Sequence, residues 1–178
     1  MKKLLAPVLA LCLLLSLIGC AGQPTEKVYT VGICQLVTHE ALDAATKGFK
    51  DALIEALGEE HVKFDEQNAA GSPDVCTTIA NNFASKNVDL ILANATSALQ
   101  ACANATATIP ILGTSITEYG VALGIDNFTG TVGGNISGTS DLAPLDQQAQ
   151  MIVDLFPSYK TVGLLYCSAE PNSQYQIK

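Results

Sequence analysis

Residues 29–58 read YTVGICQLVTHEALDAATKGFKDALIEALG, and the period of the pattern changes partway through. The opening belongs to Val28–Val37, a run dense in β-branched and apolar residues and too short for a core helix. It predicts a buried strand. A polar corner follows, Thr38-His39-Glu40. Beyond it Leu42, Ala45, Phe49, Leu53, Ala56 and Leu57 recur at helical spacing, while Asp43, Lys47, Lys50, Asp51 and Glu55 take the other face. Gly58 is a good helix terminator. The stretch is therefore strand, polar corner, helix.

The same unit repeats downstream. His61–Asn68, HVKFDEQN, alternates enough for a second strand. GSPDVCTTIANNFASKN (71–87) starts a helix strongly, with Ser72 as N-cap, Pro73 at the first helical position and Asp74 in the first turn. Val88–Asn94, VDLILAN, is a third strand. TSALQACANATAT (96–108) is a third helix, with Thr96 or Ser97 placed to cap it, and Ile109–Thr114 is a fourth strand. Four alternations with short connections predict an α/β domain whose parallel, doubly wound sheet is covered on both faces. Right-handed crossovers then bring the loops at 38–40, 68–72, 95–97 and 115–120 to one sheet edge. In open α/β sheets that edge, beyond the carboxyl ends of the strands, is where ligands bind.

After Thr114 the rhythm changes. Residues 115–141 are rich in Gly and Thr, and predict loops and a short strand crossing away from the first unit. In 143–160, Leu145, Ala149, Ile152, Val153 and Phe156 line one helical face. Thr161–Cys167 predicts a further apolar strand. One helix and one strand do not make a stable domain. The expected organisation is a first α/β lobe over 28–115, a crossing or hinge segment over 116–143, and the incomplete beginning of a second lobe over 144–178.

The chain begins MKKLLAPVLALCLLLSLIGCAG. A basic start, a short apolar run and small residues read as a secretory signal over 1–19, to be left out of the fold. The ending Leu17-Ile18-Gly19-Cys20 resembles the lipobox of bacterial lipoproteins. The resemblance implies lipidation at Cys20, which anchors a domain to the membrane without spanning it. Residues 20–27 are then a tether. The formal charge is -8, and loss of Lys2 and Lys3 with the signal makes it -10. There is no arginine, and so acidic a chain is unsuited to nucleic-acid phosphates. Cys34, Cys76, Cys102 and Cys167 are widely spaced without a C-x-x-C pair. They predict no zinc site; disulfides are chemically permitted outside the cytosol, but Cys34 falls in a predicted buried strand and Cys76 and Cys102 in two helices, so buried free thiols are the favoured reading. No cofactor is implied. Four N-x-[ST] sequons, at Asn94, Asn104, Asn127 and Asn135, read as chance matches in a Thr- and Asn-rich chain.

Six blocks fall in a familiar order: GICQLVTHEALDAATKGFKDAL, DEQNAAGSPDVCTTIA, VDLILANATSALQACANAT, IPILGTSIT, GGNISGTSD and VGLLYCSAEPNSQYQ. Together they resemble the ABC-transporter substrate-binding lipoproteins of the tryptophan/tyrosine type. The resemblance implies a periplasmic-binding-protein-like fold of two α/β lobes around a cleft. It also implies capture of a small solute, an amino acid with the aromatic class included, and delivery to a permease and an ATPase. Members are about twice this length, so the chain would be the first lobe, the crossing segment and the start of the second lobe. Family members often carry Pro where Ser97 stands, and Asp-Pro where Glu118 and Tyr119 stand. Those departures bear on the ligand rather than on the family.

An amino acid brings a carboxylate and an ammonium. The carboxylate suits helix N–H groups and hydroxyls, which Thr96 and Ser97 offer, with Ser115 and Thr117 nearby. For the ammonium, the resemblance points to Asp141, with Glu118 the alternative. His39 could stack on or hydrogen-bond a ligand beside Thr38 and Leu42. The plainer reading is that Thr38 caps the helix and Glu40 complements its dipole. Asn68 ends the second strand, where a turn role is as good as a ligand role. By the resemblance, Asn172 and Ser173 belong to the second lobe's side of the cleft. Tyr119 is the one aromatic well placed in a loop. Motifs such as G-x-S-x-G, H-E-x-x-H and the phosphate-binding loop are absent from the sequence, which argues against an enzyme. A sensory receptor built from the same lobes, or a non-functional fragment of a binding protein, are the competing readings.

Overall fold

The structure is a computed structural model, and it describes residues 27–178. The signal, Cys20 and most of the tether lie outside the described residues. Element order is β1 (Tyr29–Gln35), α1 (Glu40–Leu57), β2 (Val62–Asn68), α2 (Pro73–Lys86), β3 (Leu90–Asn94), α3 (Thr96–Ala105), β4 (Ile111–Ile116), α4 (Tyr119–Leu123), β5 (Ile136–Ser140), α5 (Leu145–Leu155) and α6 (Pro171–Gln176).

All strands pair in parallel, in the spatial order β2-β1-β3-β4-β5. The order reverses direction between β1 and β3. Such a switch point opens a crevice at the carboxyl edge, because the chain leaves the two neighbouring strands towards opposite faces. Alternation along the strands divides the core accordingly. Val31, Ile33 and Leu92 face α1 and pack with its Phe49 and Leu53. Cys34, Ile91, Ala93 and Ile111 face the other way, onto Ile79 and Phe83 of α2 and Leu99 and Cys102 of α3. Phe83 is fully buried, worth about 2–3 kcal/mol by area. It fits because Gly32 has no side chain: a Cβ there would lie 2.8 Å from the ring. Ser72 caps α2 as its position predicts, accepting from Val75 N at 3.4 Å.

The structure departs from expectation at two strands and adds detail at three helices. The short strand expected in the crossing segment is β5, and it joins the first sheet beside β4, so that sheet runs to Ser140. Thr161–Cys167 is not a strand. Leu165 is fully exposed and Leu164 is 65% exposed, because an apolar run becomes a strand only when a ladder accepts it, and here none does. The helix expected after 143 forms as α5 but buries no residue, with Leu155 and Phe156 exposed. Finally, α4 and α6 were not legible as helices, being only 5 and 6 residues long. Among the described residues no helix is long and apolar enough to cross a membrane.

Candidate ligand-binding edge

The four polar loops do converge on the carboxyl edge, and backbone hydrogen bonds tie them to the strand ends. Leu36 N donates to Asn94 O (3.2 Å), Ala95 N to Thr114 O (3.0 Å) and Asp141 N to Ile116 O (3.0 Å). Ser140 Oγ donates to Thr117 O at 2.8 Å. Thr38, His39, Asn68, Thr96, Ser97, Ser115, Thr117 and Asp141 thus share one edge. Thr38, His39, Asn68 and Asp141 are exposed, Ser97 and Ser115 are half-buried, and Thr96 and Thr117 are buried.

The backbone of this edge is strained. Ala70, Ala95 and Ser115 have positive φ (51°, 91° and 56°), one after β2, one after β3 and one within β4. Ala95, at φ 91° and ψ 159°, occupies a region that is essentially glycine-only. The register of β4 against β5 also shifts between Gly113 and Ile116, an irregularity that contains Ser115. Strain of this kind persists only where the surroundings over-determine it, and it clusters at functional sites.

Capping differs from expectation. α1 is capped by His39, whose Nδ1 accepts from Ala41 N at 3.2 Å. Thr38 does not cap it. Its hydroxyl accepts instead from Asn68 Nδ2 at 3.2 Å, while Asn68 Oδ1 accepts from Ala70 N, so Asn68 serves both its turn and the neighbouring corner. Neither Thr96 nor Ser97 caps α3. The N-cap is Ala95, with no side-chain hydrogen bond, which leaves the first amides of this helix without a side-chain acceptor. Glu118 is committed to α4, where its two carboxylate oxygens accept from Gly120 N (2.9 Å) and Val121 N (2.6 Å). Each of its oxygens thus already serves the start of α4, which is the capping role rather than a contact to a ligand. Tyr119 is buried, not in an open loop. Its hydroxyl donates to Gly113 O (3.0 Å) or Thr139 O (3.3 Å), stitching α4 to β4 and the end of β5. Burial, then the nearby Asp141 charge, push that hydroxyl up to about 12.

Asn172 and Ser173 lie in α6, which packs beside α4, and Tyr175 shares a cavity of about 390 Å³ with Glu118 and Phe128. Ser173 Oγ accepts from Cys167 N at 2.9 Å. Leu42 is half-buried in the first turn of α1, and its carbonyl accepts from Asn94 Nδ2 at 2.8 Å. That last bond belongs to a buried network of Gln35, Thr46 and Asn94. Gln35 and Asn94 end two apolar strands, and a polar residue at the end of such a run was the available signal.

Among the described residues no cluster of His, Cys, Asp and Glu could hold a metal. Cys34, Cys76 and Cys102 are free and buried, and Cys167 is free and exposed.

Residues 30–178 match the family described as ABC transporter substrate binding protein. The chain belongs to that family. This substrate-binding protein is 38% identical over 155 residues to the tyrosine-binding protein of Clostridioides difficile (strain R20291), covering 86% of this chain and 45% of the relative. Its structure is similar to that of a domain from Streptococcus pneumonia in complex with L-Trp, with a TM-score of 0.78 and 34% identity over 85% of this chain and 51% of that one. It is also similar to a ligand-free, open substrate-binding protein with adhesive properties from Clostridium difficile. There the TM-score is 0.67 and the identity 39%, over 84% of this chain and 51% of the other. The chain spans about half the length of these relatives. The fold is the expected α/β, periplasmic-binding-protein-like lobe, and the family is one of binding proteins rather than enzymes.

Proposed function

We propose that this substrate-binding protein captures an amino acid, of the aromatic class, outside the cytoplasm for an ABC importer. The carrying observation is the start of α3. It lies beside the β1/β3 switch point, has no side-chain cap, and follows a residue in a glycine-like conformation. A ligand carboxylate placed there takes the amides and dipole of α3, with the Ser97 and Thr96 hydroxyls beside them and Ser115 and Thr117 one loop away. Asp141 is the carboxylate left for the ammonium, since Glu118 caps α4. Thr38 and His39 form the outer wall, beside Leu42 and Asn68.

In this reading residues 28–115 with β5 supply one wall of the cleft. Residues 116–143 lead to the hinge, and 144–178 begin the opposite lobe, to which Asn172 and Ser173 belong. Hinge closure of the lobes traps the solute. Lipid on Cys20 holds the receptor at the membrane beside its permease and ATPase. The two relatives named for L-Tyr and L-Trp support the aromatic class.

The test is calorimetry on the complete gene product, titrated with L-tryptophan, L-tyrosine and L-isoleucine. Micromolar or tighter binding of an aromatic amino acid, lost on Asp141→Asn, is expected. Absence of heat with all three, or binding indifferent to Asp141→Asn and Ser97→Ala together, refutes the site.

A further inference from the structure

Two side-chain amides at the switch point do more than fill space. Gln35 ends β1 and Asn94 ends β3; they are neighbours in register, and both point to the α1 face. They are 4% and 0% exposed. Gln35 Nε2 donates to Val37 O (2.9 Å) and to Asp43 Oδ1 (2.6 Å). Asn94 Nδ2 donates to Leu42 O (2.8 Å) and Thr46 Oγ1 (3.0 Å), with Gln35 Oε1 at 3.5 Å. Thr46 Oγ1 in turn donates to Gln35 Oε1 at 2.7 Å. The partners therefore bracket the Thr38-His39-Glu40 corner, with Val37 on its near side and Leu42, Asp43 and Thr46 on its far side. The layer below is apolar, made by Val31, Ile33, Leu92 and Phe49. Burying this many polar groups at the top of an apolar layer is costly unless they are matched; here Asn94 Oδ1 is the one network atom buried without a hydrogen-bond partner, and the matched remainder fixes geometry more than it adds stability.

We propose that Gln35, Asn94 and Thr46 are positioning residues for the binding corner. They lock the first turn of α1, and with it Thr38 and the His39 cap, to the ends of β1 and β3. None of the three touches solvent enough to meet a solute, so they act through the corner that does. The proposal rests on the reading that this edge binds a solute, and it deepens it: the corner is pre-organised rather than assembled on binding.

Thr46→Val keeps the shape and removes the hydroxyl, whereas Thr46→Ser keeps the hydroxyl. Amide hydrogen exchange is followed at Ala41 and Asp43, whose N–H groups bond to His39, with Leu99 of α3 as the internal reference. The expected result for Thr46→Val is at least tenfold faster exchange at Ala41 and Asp43, less than threefold change at Leu99, and at least fivefold weaker binding of L-tryptophan. Thr46→Ser restores all three. Exchange at Ala41 and Asp43 that is unchanged, or that rises in step with Leu99, overturns the proposal. If Thr46→Val does not fold, Gln35→Met is read against the same criteria. If the parent protein does not bind L-tryptophan, the ligand reading falls by itself, and the exchange data alone decide the positioning role.

Discussion

Replacing Ala95 by glycine should stabilise this protein, although alanine to glycine is a destabilising change almost everywhere else. Ala95 sits at φ 91° and ψ 159°, where an L-residue's Cβ crowds the backbone and the strain is worth about 1–3 kcal/mol. Glycine adopts this conformation without penalty. Against that relief stand the extra unfolded-state entropy of glycine, about 0.5–1 kcal/mol, and a few tenths for a half-buried methyl. The balance is a gain of about 1 kcal/mol. For a chain of this size it should appear as a rise of about 2–4 °C in Tm. The control is Ala44→Gly, at an exposed position inside α1, which should lose about 0.5–1 kcal/mol. Both variants are read by thermal and urea unfolding followed by circular dichroism. If Ala95→Gly is destabilised as much as Ala44→Gly, the backbone at the start of α3 is not strained, and the case for a preset binding edge weakens. The ligand arm runs the other way. Glycine loosens the entry to α3, so affinity for an aromatic amino acid should fall while stability rises.

Other substitutions probe the packing around the site. Gly32→Ala drives a Cβ to 2.8 Å from the Phe83 ring and should cost about 1–3 kcal/mol in urea unfolding; Phe83→Leu in the same chain should recover part of it. Glu118→Ala removes the cap of α4 and should cost about 1 kcal/mol without weakening amino-acid binding, whereas a large loss of affinity would return Glu118 to the ligand. Alkaline pH should destabilise the fold. A hydrogen bond to Cys102, and burial, push the Cys34 thiol up to about 12. Burial likewise raises the Tyr119 hydroxyl to about 12, while the Cys76 thiol is raised by its bond to Cys34 and by burial. The unfolded chain loses these protons near 9 to 10, before the folded one does. Stability from these groups is thus full below about 9 and lost as pH climbs towards 12. A Tm flat from pH 7 to 8.5 and falling above 9 is expected, and a Tm unchanged to pH 10.5 contradicts it.

Much of this architecture could be read without coordinates, because it follows from period. A strand repeats every two residues and a helix every 3.6, so runs such as VDLILAN and the Phe49–Leu53–Leu57 stripe declare themselves. Ser72-Pro73 is a local signal, satisfied within one turn, and Ser72 caps α2. The location of the candidate edge followed from the alternation of strand and helix alone, since right-handed crossovers place successive loops together. What the sequence left open concerns partners distant along the chain. Gln35, Thr46 and Asn94 meet across separations of 11, 48 and 59 residues, and no window of sequence contains that meeting. Glu118 reads in the sequence as a partner for an ammonium or as a helix start, and only the short α4 behind it shows the capping role. Tyr119 looked like a loop aromatic, but the approach of β4 and β5 buries its ring and takes its hydroxyl. Thr161–Cys167 has the composition of a strand yet forms none. Composition states a preference for a ladder, and a strand exists only where tertiary structure supplies the neighbouring hydrogen-bonding edge.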